Sequence, residues 1–151
     1  MSARTNVGSA PASAGVSRHG LLRAAAITAG VALVVNLVIL AIATALSDVP
    51  ERFTPLQPGS VAFMTILGVA LAAGLFALVR SRAANPTATF RKIVPAALLV
   101  SLIPDVLIWT GDAYEGAAQA ETVLPLMAMH VATAIVVAAL LPTNSEENSS
   151  R

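Results

Sequence analysis

Four long apolar runs, separated by segments rich in proline and charged residues, constrain this chain more than any other feature. They occupy residues 21–46, 61–79, 93–110 and 123–141, and the whole chain is 56% hydrophobic with a mean hydropathy of +0.79. A helix of about 20 apolar residues crosses the ~30 Å hydrocarbon core of a bilayer. The sequence therefore predicts an all-α integral membrane protein, a four-helix bundle whose partner is the lipid bilayer.

The polar segments divide the chain into three parts. We predict a disordered cytoplasmic tail over residues 1–20, a four-span membrane domain over 21–142 and a polar tail over 143–151. Helices are expected at 22–46, 60–81, 87–110 and 123–141. Ala43-Thr44-Ala45 also has the small-x-small form of a signal cleavage site. The apolar stretch before it is longer than the roughly 7–15 residues typical of such signals, so we expect the first helix to be retained.

Proline and capping residues predict where the helices begin and end. Pro58-Gly59 suits the centre of a type II turn, which leaves Ser60 to cap the second helix. Asn85-Pro86 marks the start of the third helix. Thr122 is the expected cap of the fourth helix, and Pro142 is its expected end.

Glycine and proline inside the spans predict two local features. Gly68, Ala72 and Gly74 of the second helix are small, so we expect a neighbouring helix to approach closely there. Pro104 lies well inside the third helix and cannot donate a backbone hydrogen bond. We therefore expect a kink at Pro104 and a freed carbonyl group near Val100.

Basic residues are distributed unevenly among the loops. When successive loops are assigned to alternate sides, Arg52 alone lies on one side. An excess of Lys and Arg marks the cytoplasmic side. We therefore predict that both termini are cytoplasmic, in the cell inner (plasma) membrane, with the loops around Glu51 and Glu115 outside. The basic residues of the cytoplasmic side are Arg4, Arg18, Arg23, Arg80, Arg82, Arg91, Lys92 and Arg151.

Three polar residues inside the spans are predicted to lie at one depth. Asn36 is 13 residues beyond Arg23 and Asp105 is 13 beyond Lys92, so both lie ~20 Å into the membrane. His130 lies about 10 Å from the opposite edge of a core about 30 Å thick. An Asp in hydrocarbon costs roughly 2.5–3.5 kcal/mol and should face protein. The sequence therefore predicts an Asn36–Asp105–His130 cluster in the outer half of the bundle.

Two functional hypotheses for this cluster stay open. In the first, Asp105 and His130 form a hydrogen-bonded or ionic pair that Asn36 completes, and the cluster fixes helix packing in a structural or accessory protein. In the second, the Asp–His pair changes protonation near neutral pH within a proton-coupled small-molecule transporter. Four helices can hardly enclose a substrate path, so that transporter would act as a dimer.

Other functional classes find little support in the sequence. No convergent nucleophile and base are visible, so we expect no enzyme. The chain has no cysteine, and one intramembrane His with one Asp provides too few ligands for a metal site. We expect no cofactor, because nothing resembles a phosphate-binding loop. A net charge of +1 offers no broad basic surface to nucleic acid. A homodimer or another membrane-protein partner stays open.

Four short motifs resemble a known family over about residues 21–141. They are Leu56-Gln57-Pro58-Gly59-Ser60, Phe90-Arg91, Ser101-Leu102-Ile103-Pro104-Asp105 and Leu126-Met127-Ala128-Met129-His130-Val131. The chain is similar in these motifs to domain-of-unknown-function family 6069, a family of small actinobacterial membrane proteins. The resemblance implies four helices and brings no activity or catalytic residue with it.

Overall fold

The computed structural model describes residues 18–111, 114 and 116–147. That part of the chain is helical, without strands. Leu102 separates two helices that together form the third span, so four spans are long and apolar enough to cross a membrane. The predicted all-α four-span fold is confirmed, and the protein is a multi-pass membrane protein. The helices are α1 (Arg18–Leu46), α2 (Pro58–Arg80), α3 (Pro86–Ser101), α4 (Ile103–Thr110) and α5 (Ala120–Glu147), with a 3₁₀ turn at Thr54–Leu56.

Helix α1 is the centre of the packing, and it contacts α5 most extensively and α2 next. Two apolar clusters lie at its two ends. The first joins Ala24 and Ala32 to the C-terminal halves of α2 and α5, and the second joins Leu40 to their N-terminal halves. Residue numbers therefore rise along α1 while they fall along its neighbours, so α1 is antiparallel to both α2 and α5.

The third span is the least buried of the four spans. Its most apolar window is 11% buried, against 22% in each of the others. Phe90 is the buried residue of α3 and Asp105 that of α4, and every residue of both helices is described. Phe90 lies edge-on to Phe76 of α2, with ring centroids 5.0 Å apart. One aromatic and one acidic side chain, near the two ends of the span, are therefore its fully buried attachments, and partly buried Ile93, Val94 and Ile108 add contacts with the apolar clusters.

Several helix starts differ from the predictions. Helix α1 already includes Arg18, the first described residue, which lies inside the predicted tail, and Gly20 and Ala24 of its first described turns are buried. Helix α2 begins at Pro58 rather than residue 60, since proline suits a first turn. Ser60 is therefore not its cap. Helix α5 begins at Ala120.

Thr122 stabilises the start of α5 from within the first turn rather than as its cap. Its hydroxyl group accepts a hydrogen bond from the backbone N–H of Gln119 at 3.0 Å and donates to the carbonyl of Ala117 at 2.8 Å. A side chain inside the first turn can satisfy backbone groups that precede the helix. The sequence therefore identifies Thr122 as a residue that stabilises the start of the helix, but Thr122 is the third residue of α5 rather than its cap.

The predicted end of α5 at Pro142 is wrong, because the helix continues to Glu147. A proline inside a helix leaves the carbonyl group four residues earlier without its usual donor. Here that carbonyl belongs to Ala138, and the Nε of Arg91 donates to it at 3.2 Å. Residues 143–147 are thus helix rather than tail. The rest of the predicted tails, residues 1–17 and 148–151, lies outside the described residues, as do Asp112 and Glu115.

The expected close helix contact has a different outcome at each of its three residues. Ala72 packs against the first apolar cluster. A Cβ atom built on Gly68 or Gly74 would meet nothing within 4 Å, so neither glycine is required by a close helix approach. Gly68 is half-buried beside Thr65 and Val69, and Gly74 is exposed.

Candidate functional site

The interruption of the third span precedes Asp105 by three residues. Pro104 is the second residue of α4 and has no N–H to offer to Val100, so the helix breaks around Leu102. The backbone N–H of Leu102 still bonds to Leu98, and the hydroxyl of Ser101 donates to the same carbonyl at 2.8 Å. The break is therefore local, because the residues just before it keep their hydrogen bonds to Leu98. It lies two residues before the proline.

Asp105, three residues after this break, contacts His130 of α5. The Nδ1 of His130 lies 3.1 Å from the Oδ2 of Asp105 and 3.0 Å from the carbonyl oxygen of Leu126. The Nδ1 contact with the Leu126 carbonyl has hydrogen-bond geometry, whereas Oδ2 has no partner at hydrogen-bonding angles among the described residues. The contact has ion-pair distance without the alignment of a hydrogen bond. The side chain of Asp105 is 5% exposed and that of His130 is 37% exposed.

Asn36 bonds to two threonines instead of to this pair. Its Nδ2 donates to the hydroxyl oxygens of Thr65 at 2.8 Å and Thr133 at 3.0 Å, so both amide hydrogens are used. The hydroxyl of Thr65 donates onward to the carbonyl of Val61 at 2.7 Å. This second group, Asn36–Thr65–Thr133, joins α1, α2 and α5 in the interior of the bundle.

The structure thus brings two of the three predicted site residues together and gives the third other partners. Asn36 occupies the α1 face that meets α2 and α5, whereas Asp105 reaches α5 from the third span. Thr133 follows His130 by three residues, about 4.5 Å along the helix axis, so the two groups are near in depth. Sequence reasoning missed Thr65 and Thr133. Their signal was weak, because a threonine in a span commonly bonds to its own helix.

Three buried oxygen atoms have no hydrogen-bond partner within the described part of the chain. They are the Oγ1 of Thr28, the Oδ1 of Asn36 and the Oδ2 of Asp105. A buried oxygen without a donor carries a desolvation cost of about 1–3 kcal/mol. Two of these atoms belong to the polar groups described above, so the interior retains acceptor capacity for a donor such as water.

The site offers no visible set of metal ligands. Across the described residues, no group of three or more His, Asp or Glu could hold a metal ion. Asp105 and His130 are two such residues, and the partners of Asn36 are hydroxyl groups. The chemistry available here is hydrogen bonding and the pairing of one carboxylate with one imidazole.

The fold and the site define a small multi-pass membrane protein in which one buried carboxylate meets one imidazole between helices. The chain belongs to a family of unknown function, DUF6069, whose model matches residues 16–147. That match includes all of the helices described above, from Arg18 to Glu147. No curated protein and no solved structure matches the chain.

Proposed function

We propose that this protein is a structural or accessory membrane protein without enzymatic activity, in which the Asp105–His130 contact fixes the third span against α5. The observation that carries the proposal is that Asp105 is the one buried residue of α4 and lies 3.1 Å from His130. None of the other seven residues of α4 is fully buried, and Ile108 is partly buried against the apolar cluster that contains Leu40. The acid is therefore the one fully buried attachment of this helix.

The energy scale of this contact suits a packing role. Polar contacts between membrane helices contribute about 0.6–2 kcal/mol each. An isolated Asp in hydrocarbon costs more than this, so α4 gains by keeping its acid against the imidazole rather than turning it toward lipid. A small stabilisation has a large relative effect here, because apolar packing holds this span weakly.

Amide hydrogen exchange in detergent tests the proposal. In Asp105→Asn, we expect the amides of Val106–Thr110 to exchange roughly five-fold faster, as the loss of about 1 kcal/mol implies. The amides of α1 should be unchanged. Ser101→Ala is the matched control, since Ser101 lies one turn earlier and its hydroxyl bonds to its own helix. Equal protection of α4 in wild type and Asp105→Asn would refute the proposed attachment.

We also propose that both termini face the cytoplasm and that the membrane is the cell inner membrane. The uneven distribution of Lys and Arg supports this orientation, with Arg52 alone on the outer side. Reporter fusions after Arg52 and within the connection that follows α4 should give external signals, and a fusion at Ala84 should give a cytoplasmic one. The reverse pattern would overturn the orientation.

A proton-coupled transporter that acts as a dimer is the second candidate. One observation favours it: a carboxylate and an imidazole lie 3.1 Å apart inside a span, and the imidazole is 37% exposed outside the helices of this chain, where a second copy could cover it. In vesicles, transport predicts a pH-dependent flux that Asp105→Asn abolishes while the protein stays folded. A flux unchanged in that variant would exclude a role for the pair in transport.

A further inference from the structure

Exposed basic residues flank the connection where α2 ends and α3 begins. Arg82 and Lys92 are exposed there, and Arg91 is exposed beside Lys92. The connection from Arg82 to Pro86 is four residues, at most about 14 Å of chain, and Lys92 lies about 9 Å further along α3. Glu146 and Glu147 are the acidic residues that the sequence places at this end.

The position of Arg91 follows from a proline in another helix. Pro142 leaves the carbonyl oxygen of Ala138 without its helical donor, and the Nε of Arg91 donates to that oxygen at 3.2 Å. This bond fixes the guanidinium at the contact between α3 and α5. It uses one of the five N–H donors of arginine and leaves the paired Nη groups for a ligand.

An aromatic pair supports the same end of the bundle. The rings of Phe76 and Phe90 meet edge-on, and the Cζ of Arg80 lies 5.8 Å above the centre of the Phe76 ring. A cation over an aromatic face is stabilised by the ring quadrupole. Arg80 and Arg91 are therefore both positioned by contacts within the protein, around the packing of α2 and α3.

We propose that this end of the bundle binds the phosphate headgroup of an anionic phospholipid, with Arg82, Arg91 and Lys92 as its ligands. Arginine binds phosphate oxygens through two parallel hydrogen bonds, and lysine adds a point charge. The cations lie at the termini of membrane spans, where headgroups lie. Leu78 of α2 is 47% exposed one turn away and offers apolar surface to an acyl chain. The inference is independent of the role proposed for Asp105 and His130, which take no part in it.

Thermal unfolding of the full chain in a neutral detergent tests this site. Dioleoyl phosphatidylglycerol is added to the wild type at about ten times its apparent Kd, and dioleoyl phosphatidylcholine and inorganic phosphate are added separately. Two site variants are compared with the wild type: the double variant Arg82→Gln/Lys92→Gln and the single variant Arg91→Gln. Arg52→Gln is the matched control, because Arg52 is exposed at the opposite end. Each shift in Tm is measured against the same variant without additive.

We expect phosphatidylglycerol to raise the Tm of the wild type and of Arg52→Gln by about 3–6 °C. The rise should fall by half or more in both sets of site variants, and phosphatidylcholine should produce little change. Because each variant is its own reference, lower stability of Arg91→Gln does not mask the result. Equal rises with both lipids, an undiminished rise in the site variants, or an equal rise with inorganic phosphate would overturn the lipid site.

Discussion

The bundle contains two regions that are held together differently. Helices α1, α2 and α5 share two apolar clusters and an interior group of Asn36 with two threonines. The buried side chains of the third span are Phe90 near one end and Asp105 near the other, and Arg91 adds a hydrogen bond to α5. In a bilayer, lipid tails are as apolar as leucine, so helices are held together by van der Waals packing and hydrogen bonds rather than by removing apolar surface from water. Specific contacts therefore decide how firmly each span is held, and the third span has few of them.

The largest effect should come from removing the aromatic attachment of the third span. In Phe90→Ala, we expect a loss of about 3–5 kcal/mol in the free energy of unfolding, because a fully buried ring and its contact with Phe76 disappear. Unfolding in a mixed detergent measures it. Leu99→Ala, on a 69% exposed residue of the same helix, is the control. Similar losses in the two variants would mean that Phe90 does not attach the span.

The next effect concerns the interior of the tightly packed region. Asn36→Ala should lower the free energy of unfolding by about 2 kcal/mol, because two hydroxyl groups lose their donor in a buried site. Thr28→Val is the contrasting variant, since the buried hydroxyl of Thr28 has no partner among the described residues. We expect that change to be neutral or slightly stabilising. A cost for Thr28→Val equal to that of Asn36→Ala would show that the hydrogen bonds of Asn36 contribute nothing specific.

These two regions also differ in how far the sequence predicts them. A membrane span is recognised from the hydropathy of consecutive residues, so the sequence predicts all four spans of the described chain. Depth along a span follows from residue counting, which predicts Asp105 and His130 at one level, and the two side chains lie 3.1 Å apart. The partner of a residue also depends on rotation of each helix about its axis, which counting does not determine. Asn36 therefore bonds to Thr65 and Thr133 rather than to the acid and the imidazole.

The predicted end of α5 and the predicted glycine contacts differ from the structure for a related physical reason. Pro142 is compatible with a continuing helix because Arg91, 51 positions earlier in the chain, satisfies the carbonyl that the proline frees. The small residue that packs against the core is Ala72, whereas a Cβ atom on Gly68 would meet nothing within 4 Å. Both outcomes depend on tertiary contacts between distant segments. Neighbouring residues in the sequence carry no information about such contacts.

Smaller changes in the free energy of unfolding are expected when alanine replaces a glycine in each region. Gly68 has space for a methyl group, whereas Gly111 does not. Gly68→Ala should stabilise by about 0.5–1 kcal/mol through helix propensity, since nothing lies near the added methyl group. Gly111→Ala, at the end of the third span, should destabilise by about 1 kcal/mol. Its Cβ would lie 2.8 Å from the backbone oxygen of Leu107. Thermal unfolding of the two variants measures both, and the same sign for both would contradict the geometry.

The contact between Asp105 and His130 is the central claim, and a double-mutant cycle tests it most directly. The free energy of unfolding is measured for the wild type, Asp105→Asn, His130→Gln and the double variant in one detergent and buffer. If the two side chains hold the third span together, the cycle should give a coupling of about 1 kcal/mol, above the ~0.5 kcal/mol expected from independent sites. Additive effects of the two substitutions would contradict the account and leave Phe90 as the principal attachment of the span.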